Sequence, residues 1–376
     1  MNRQMGRIYL DHNASTPLHP HVAQAMRDAL EDSYGNPSSA HWAGQPARQM
    51  LERSRAQVAA LLGCAPAEIV FTSGGSEANN LALKGTFFAR RDRAAHIITT
   101  QVEHPSILAS SRFLEREGAR ITYLPVDSTG LLDPDDLRRA ITRDTILISI
   151  MHANNEVGTI QPIAACAWIA GEHDIPFHTD AAQSAGKIPT RVGELGVDLL
   201  STAGHKLHAP NGVGALYVRA GIKLEPLIHG GGHEGGQRAG TESAMLAAGL
   251  GAACVLAADL TAMEGIRQLR DRFWASLQAR FGKRVVLNGH PEKRLPNTLN
   301  VSFVGRVGAD VLAALDGVAA STGSACHSGR IELSPVLAAM GVPPEAGMGA
   351  VRFSLGRTTR SDEISAVVEA LSNVLS

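Results

Sequence analysis

Residues 177–206 read FHTDAAQSAGKIPTRVGELGVDLLSTAGHK. FHTD is a short β-rich run that ends on a carboxylate, Asp180. AAQSAGK has helical composition, and DLLSTAG is a second strand-like run. Lys206 follows that second run, 26 residues after Asp180. Strand, helix and strand at this spacing predict two parallel neighbours, with Asp180 and Lys206 at adjacent C-terminal strand ends, where open α/β sheets bind ligands. Lys206 sits among small and apolar neighbours, directly after His205. Enclosure of that kind lowers a lysine's pKa and frees its amine for chemistry.

The same alternation extends outward. EIVFTSGG, HIITTQ, RITYLPV, TILISIM and GALYVR read as further strands, and runs such as TILISIM are apolar enough for burial on both faces. Helical spacing marks HPHVAQAMRDALEDSY, GQPARQMLERSRAQVAALLG with Gly63 as its stop, SEANNLALKGTFFARR with Ser76 as its cap, SILASSRFLEREG and PDDLRRAIT. The glycine-rich run 229–240, HGGGHEGGQRAG, has neither period. One long helix is expected over 241–280. Beyond it RVVLNG, NTLNVSFVG, ADVLAALD, VRFSLGR and a closing helix suggest a smaller α+β unit. The predicted division is 16–257 for a large domain, with 1–15 and 258–376 forming the small one.

A chain of 376 residues is long enough for two such units. With 44% hydrophobic and 19% charged residues it has the composition of a soluble globular protein. Lys plus Arg number 35 against 36 Asp plus Glu, so no global basic field exists to hold nucleic acid or an anionic membrane. No apolar run reaches the ~20 residues of a membrane span, and MNRQMGRIYLDHNAST lacks a secretory core. The expected address is the cytoplasm. Four cysteines, Cys64, Cys166, Cys254 and Cys326, form no CxxC pair, so neither a structural metal site nor a thioredoxin-type pair is expected. Cys166 and Cys254 lie in Ala-rich helical runs and are expected to be buried.

Several motifs carry chemistry. FTSGGSEANN ends a strand and opens a helix, leaving outward-pointing backbone N–H groups that favour a phosphate. Asp180 at its strand end can keep a pyridine nitrogen protonated, and an enclosed Lys206 can condense with an aldehyde. Phosphate cradle, acid and amine together match the needs of pyridoxal 5'-phosphate. His104 in QVEHPSI can stack on a flat ring or shuttle protons. Asn154 or Asn155, in HANNEVGT, can hydrogen-bond a ring hydroxyl or a substrate carboxylate. Arg352 and Arg357, in VRFSLGR, offer forks suited to a carboxylate. In STGSACHSG, residues 321–329, Cys326 stands among small residues in what reads as a mobile exposed loop, with His327 beside it. An exposed cytosolic thiol fits a nucleophile that is used.

These motifs together resemble the cysteine desulfurases of the NifS/IscS type, pyridoxal phosphate enzymes of the class V aminotransferase family with the aspartate-aminotransferase fold (fold type I). YLDHNAST, FTSGGSEANNLALKG, VEHPSI, HANNEVGTIQPI, HTDAAQSAGK, GHKLHAPNGVGALYV, GGGHEGGQRAGTE, STGSACHSG and VRFSLGR occur in family order from residue 9 to about 357. The resemblance implies a large parallel-sheet domain and a smaller α+β domain carrying the cysteine loop. Lys206 would bond the cofactor as an imine, Asp180 would pair with the ring nitrogen and Gln183 with the phenolic oxygen. His104 would stack on the ring and assist proton transfer. Gly75, Ser76 and His205 would hold the phosphate, joined by Thr241 from the second subunit of a homodimer. Asn155 and Arg352 would hold the substrate carboxylate. Cys326 would take sulfur from L-cysteine as a persulfide, leave alanine, and pass the sulfur to an acceptor protein.

Selenocysteine lyase, or another transferase or lyase of this fold, is the alternative, and a sulfur-carrying subunit without catalysis a further one. Iron–sulfur assembly, tRNA thiolation, cofactor synthesis and DNA sulfur modification all stand open as destinations for the sulfur. Three departures from the family pattern matter. Ala203 replaces a serine that helps bind phosphate; either Thr202 compensates or the phosphate has one fewer partner. Gly75-Ser76 replaces an Ala-Thr pair. The chain closes on LSNVLS, without the longer tail some relatives use to dock a scaffold.

Overall fold

The computed structural model describes residues 6–90, 95–322, 326–327 and 330–375. Seven strands form the central sheet in the order Ile69–Thr72, Gly214–Val218, Leu199–Ala203, Phe177–Asp180, Thr145–Ser149, His96–Thr100 and Arg120–Leu124. The last five are parallel to one another. Gly214–Val218 runs against both its neighbours, Leu199–Ala203 and Ile69–Thr72. Apart from the edge strand Arg120–Leu124, of which only Leu124 is buried, the strand residues are buried, as a sheet covered on both faces requires.

Period-2 geometry sorts their side chains into two cores. Ile97 and Leu199 join the core under the helices Gly75–Phe88 and Pro105–Arg116. Ile98 and Leu200 join the opposite one, with Phe177, under the helices Gln45–Leu62 and Ile163–Gly171. Phe177 is fully buried, which contributes roughly 1.5–3 kcal/mol.

A separate core gathers Phe273, Phe303, Phe353, Leu299 and Val351 with Ile8 and Leu10. Its sheet is antiparallel, in the order Ala350–Ser354, Thr298–Phe303, Val285–Asn288. The N-terminal strand Ile8–Tyr9 pairs in parallel with Val318–Ala319, and Asp11 bridges to Ser354. Residues 8–11 therefore lie on this unit, and the chain then crosses to the first helix, Pro20–Asp32.

Three local expectations are corrected. The helix expected over 241–280 is two helices, Ala244–Ala257 and Thr261–Phe281, bent by 72°. Asp259 causes the break, because its Oδ1 accepts from the Thr261 N–H (2.9 Å) and hydroxyl (2.6 Å) and starts the second helix anew. AAQSAGK is a series of turns and not a helix. It contains Gly186 at φ 69°, where a Cβ would stand 2.7 Å from the Ala257 Cβ. The helix after SGG starts at Gly75 with Gly74 in the cap position, so Ser76 belongs to its first turn.

No single described helix is long and apolar enough to cross a membrane. Cys326–His327 is described as a two-residue strand opposite Arg330–Ile331. The remainder of the expected 321–329 loop beyond Thr322, and the Cys326 side chain, lie outside the described residues.

Candidate active site

The C-terminal ends of the parallel strands open into a cavity of about 540 Å³. Asp180 ends its strand pointing into the cavity, 6% exposed. The neighbouring strand, with Ser201 opposite Asp180, leads through Ala203 to the turn Gly204–Lys206. Adjacent strand ends thus bring Asp180 and Lys206 to one site, as the spacing predicts.

Lys206 Nζ donates to the carbonyl oxygens of Asn13 (2.6 Å) and Ala14 (2.7 Å). Burial pushes its amine down to about 8. The Arg352 cation adds to this, and Asp11 and Asp180 oppose it. An amine poised there can be freed at neutral pH far more readily than an ordinary lysine.

Asp180 is fixed by two donors. Its Oδ1 accepts from the Ala182 N–H (2.9 Å) and its Oδ2 from Asn79 Nδ2 (2.7 Å). Asn79 Nδ2 also donates to Ser106 Oγ (2.9 Å), and Ser106 Oγ lies 2.8 Å from His104 Nδ1. His104 caps the helix Pro105–Arg116, and its Nδ1 accepts the Ser106 N–H (3.1 Å). A neutral ring therefore carries its proton on Nε2. Burial holds the His104 imidazole below its ordinary pKa, against the pull of Asp180.

Gln183 Nε2 donates to the Asn13 carbonyl (2.9 Å), and its Oε1 accepts from buried Lys187 (3.0 Å). His205 lines the cavity, and burial lowers its pKa to about 4, with Lys206 contributing.

At the other end, Gly75 and Ser76 begin the helix Gly75–Phe88, which no side chain caps. Its first N–H groups and dipole are available to an anion. A Cβ on Gly214 would stand 2.7 Å from the Gly74 carbonyl carbon, so glycine there lets strand and cradle approach closely. Ala203 lines the cavity without a polar atom. Thr202 does not substitute for the missing hydroxyl, because its Oγ1 donates to the Ala215 carbonyl (3.2 Å) and is buried.

Asn155 and Arg352 also line the cavity. Of the two asparagines, Asn154 is fully buried and holds the Val102 carbonyl and the Glu156 and Val157 N–H groups, so Asn155 is the one at the cavity. Arg352 Nη1 donates to the Asn155 carbonyl (2.9 Å) and Nη2 to Asp11 Oδ1 (2.8 Å). Arg357 bonds instead to the carbonyls of Leu256 and Asp259, at the break between the two helices. Thr241 is exposed and lines a neighbouring cavity of about 190 Å³ with Ser73, Glu234 and Arg238. Sequence reasoning missed Asn79 and Ser106, which tie His104 to Asp180. It also missed Asp11, Asn13 and Ala14 behind Arg352 and Lys206.

The donor set fits pyridoxal 5'-phosphate. An uncapped helix start, a buried carboxylate, a partly neutral amine and an imidazole share one ring-sized cavity. Among the described residues, no group of three or more His, Cys, Asp or Glu is placed to hold a metal ion.

Comparison with known proteins agrees. Residues 8–367 match the aminotransferase class-V family. The chain is 48% identical to cysteine desulfurase IscS of Dictyoglomus turgidum, over 98% of this chain and 94% of the relative. It is 45% identical to IscS of Methanosarcina thermophila, over 98% and 92%, and 44% identical to the cysteine desulfurase of Mus musculus, over 96% and 80%. A solved NifS-like protein superposes with a TM-score of 0.92 at 37% identity, covering 98% of this chain and 99% of that one. SspA in complex with cysteine superposes with 0.84 at 38%, covering 93% and 98%. The chain belongs to the class-V aminotransferase family, within its branch of NifS/IscS-type cysteine desulfurases, whose cofactor is pyridoxal 5'-phosphate.

Proposed function

We propose that this chain converts L-cysteine to L-alanine and a persulfide on Cys326, and passes that sulfur to an acceptor protein. The observation that carries the reading is the placement of Lys206 and Asp180 at adjacent strand ends of one cavity that Arg352 also lines.

The cofactor, when bound, supplies an electron sink for the substrate's Cα–H bond. The Gly75 and Ser76 N–H groups and His205 would bind its phosphate. Asp180, held in place by Asn79, would keep the proton on the ring nitrogen. Gln183 would donate to the ring oxygen, and His104 would stack on the ring and assist proton transfer. Lys206 Nζ would anchor the cofactor, and as a free amine it would be the base placed to take the proton from Cα. Arg352 and Asn155 hold the substrate carboxylate.

The Cys326 thiolate attacks the substrate sulfur. A sulfur–sulfur bond forms and the Cβ–sulfur bond breaks, leaving its electron pair on the carbon skeleton, where Cβ takes a proton and alanine departs. Burial pushes the thiols of Cys64, Cys166 and Cys254 up to about 12, which leaves them poor nucleophiles and supports Cys326 in the role.

The working protein in this reading is a cytoplasmic homodimer, with Thr241 of the partner subunit reaching the phosphate site. Iron–sulfur cluster assembly is the destination suggested by the IscS relatives. Mass spectrometry after incubation with cysteine tests the reaction: the Cys326 peptide should become one sulfur atom heavier as alanine accumulates. Formation of a keto acid with an unmodified Cys326 would refute it.

A further inference from the structure

Arg352 does not stand alone at the cavity wall. One carboxylate oxygen, Asp11 Oδ1, accepts both Arg352 Nη2 (2.8 Å) and the Ser321 hydroxyl (2.9 Å). Ser321 and Arg352 also exchange backbone hydrogen bonds across an isolated antiparallel bridge, at 2.7 and 3.2 Å. The Asn155 carbonyl holds the guanidinium from the other side, at 2.9 Å. The Asp11–Arg352 pair is largely sheltered, with side-chain exposures of 18% and 9%. Arg352 lines the cavity and Asp11 does not, so Asp11 reaches a ligand's carboxylate through the arginine.

A guanidinium has five N–H donors in a rigid fork. Asp11 and Asn155 take one N–H on each Nη and fix the plane of the fork, leaving the second N–H of each Nη for a ligand, while Nε is buried without a partner. An arginine held before the ligand arrives avoids losing rotamer freedom on binding. Its acid partner also cancels part of the charge that would attract a carboxylate. Asp11 thus does two opposed things, ordering the fork and weakening its field, and the two separate in different substitutions.

We propose that Asp11 is a positioning residue for the substrate carboxylate: with Ser321 it locks the Arg352 fork in its receiving orientation. This rests on the reading of Arg352 as the carboxylate site.

The test uses the holoenzyme and two probes, L-alanine and ethylamine, which is alanine without its carboxylate. Binding is read from the change in visible absorption. Asp11→Ala should weaken alanine about tenfold, the scale of one lost charge-assisted hydrogen bond, and leave ethylamine within about twofold. Asp11→Asn keeps an oxygen acceptor for both donors, so alanine should bind as tightly as in the native protein or more tightly. Ser321→Ala, which spares the Asp11–Arg352 pair, should weaken alanine by a smaller factor and serves if Asp11→Ala fails to fold. Equal shifts for both probes, or none for either, overturn the proposal. Arg352→Lys separates the two failures: if it leaves alanine binding unmoved, the carboxylate assignment itself fails and takes the proposal with it.

Discussion

Lys206 Nζ lies 2.6 Å from the carbonyl oxygen of Asn13, a residue 193 positions earlier in the chain. The same oxygen accepts the Gln183 amide at 2.9 Å. One backbone carbonyl therefore orients both the anchoring amine and the amide beside it, and it belongs to a segment that leaves the small unit just before.

The enclosure of Lys206 predicts a pH profile. Its folded pKa of about 8 lies below the ~10.4 of a free lysine. Capture of pyridoxal 5'-phosphate by the cofactor-free protein should rise with pH and level off above about 8, measured by stopped-flow absorbance. Between these two values the unfolded chain binds more protons, so the Lys206 contribution to stability grows with pH toward ~10 and is lost as pH falls to about 8. A capture midpoint near 10 would show that the amine is not enclosed.

Asp180 and Asn79 should differ in weight. Asp180→Ala removes the anion opposite the ring nitrogen and should lower kcat roughly 10²–10³-fold with the cofactor still bound. Asn79→Ala removes one donor to that anion, at 2.7 Å, and should cost about tenfold. Turnover with saturating cysteine measures both. Equal losses would mean that Asn79 acts in its own right.

Ala203→Ser is expected to improve cofactor retention. The position lines the cavity, and Thr202 cannot supply its own hydroxyl because it serves Ala215. A new hydrogen bond of about 0.5–1.5 kcal/mol would tighten pyridoxal 5'-phosphate roughly threefold to tenfold. Equilibrium dialysis reads this directly, and unchanged affinity would mean that the phosphate already has its full set of partners.

Glu234→Ala should destabilise the protein. Glu234 receives a two-pronged Arg55 guanidinium, both contacts at 2.7 Å, and the Phe71 N–H at 2.7 Å, with its own side chain 1% exposed. Removing it leaves Arg55 unpaired, at a cost of about 3–5 kcal/mol. Urea unfolding followed by circular dichroism would show it. The glycine-rich run 229–240 is pinned to the strand Ile69–Thr72 through this contact.

The alternation of strands and helices was legible because each element carries its own period. Asp180 and Lys206 were legible because they follow two neighbouring parallel strands joined by one short crossover. Asn79 and Ser106 lie inside motifs already singled out, FTSGGSEANN and VEHPSI, but their bond to each other and to Asp180 exists only once helices starting at 75 and 105 lie side by side. Asn13 and Ala14 act through carbonyls, which no side-chain pattern announces. The break at 258–260 falls in an Ala- and Leu-rich run without Gly or Pro. Its only sign is Asp259 two residues before Thr261, a turn signal easily lost in so apolar a context.

The pairing of Ile8–Tyr9 with Val318–Ala319, and of Asp11 with Ser354, has a consequence for biosynthesis. The first strand emerges from the ribosome long before its partners, and closing so long a loop is entropically slow. The large sheet can form while residues 8–14 still wait. The carbonyls that grip Lys206 therefore follow a strand whose partners, residues 318–319 and 354, are among the last to be made.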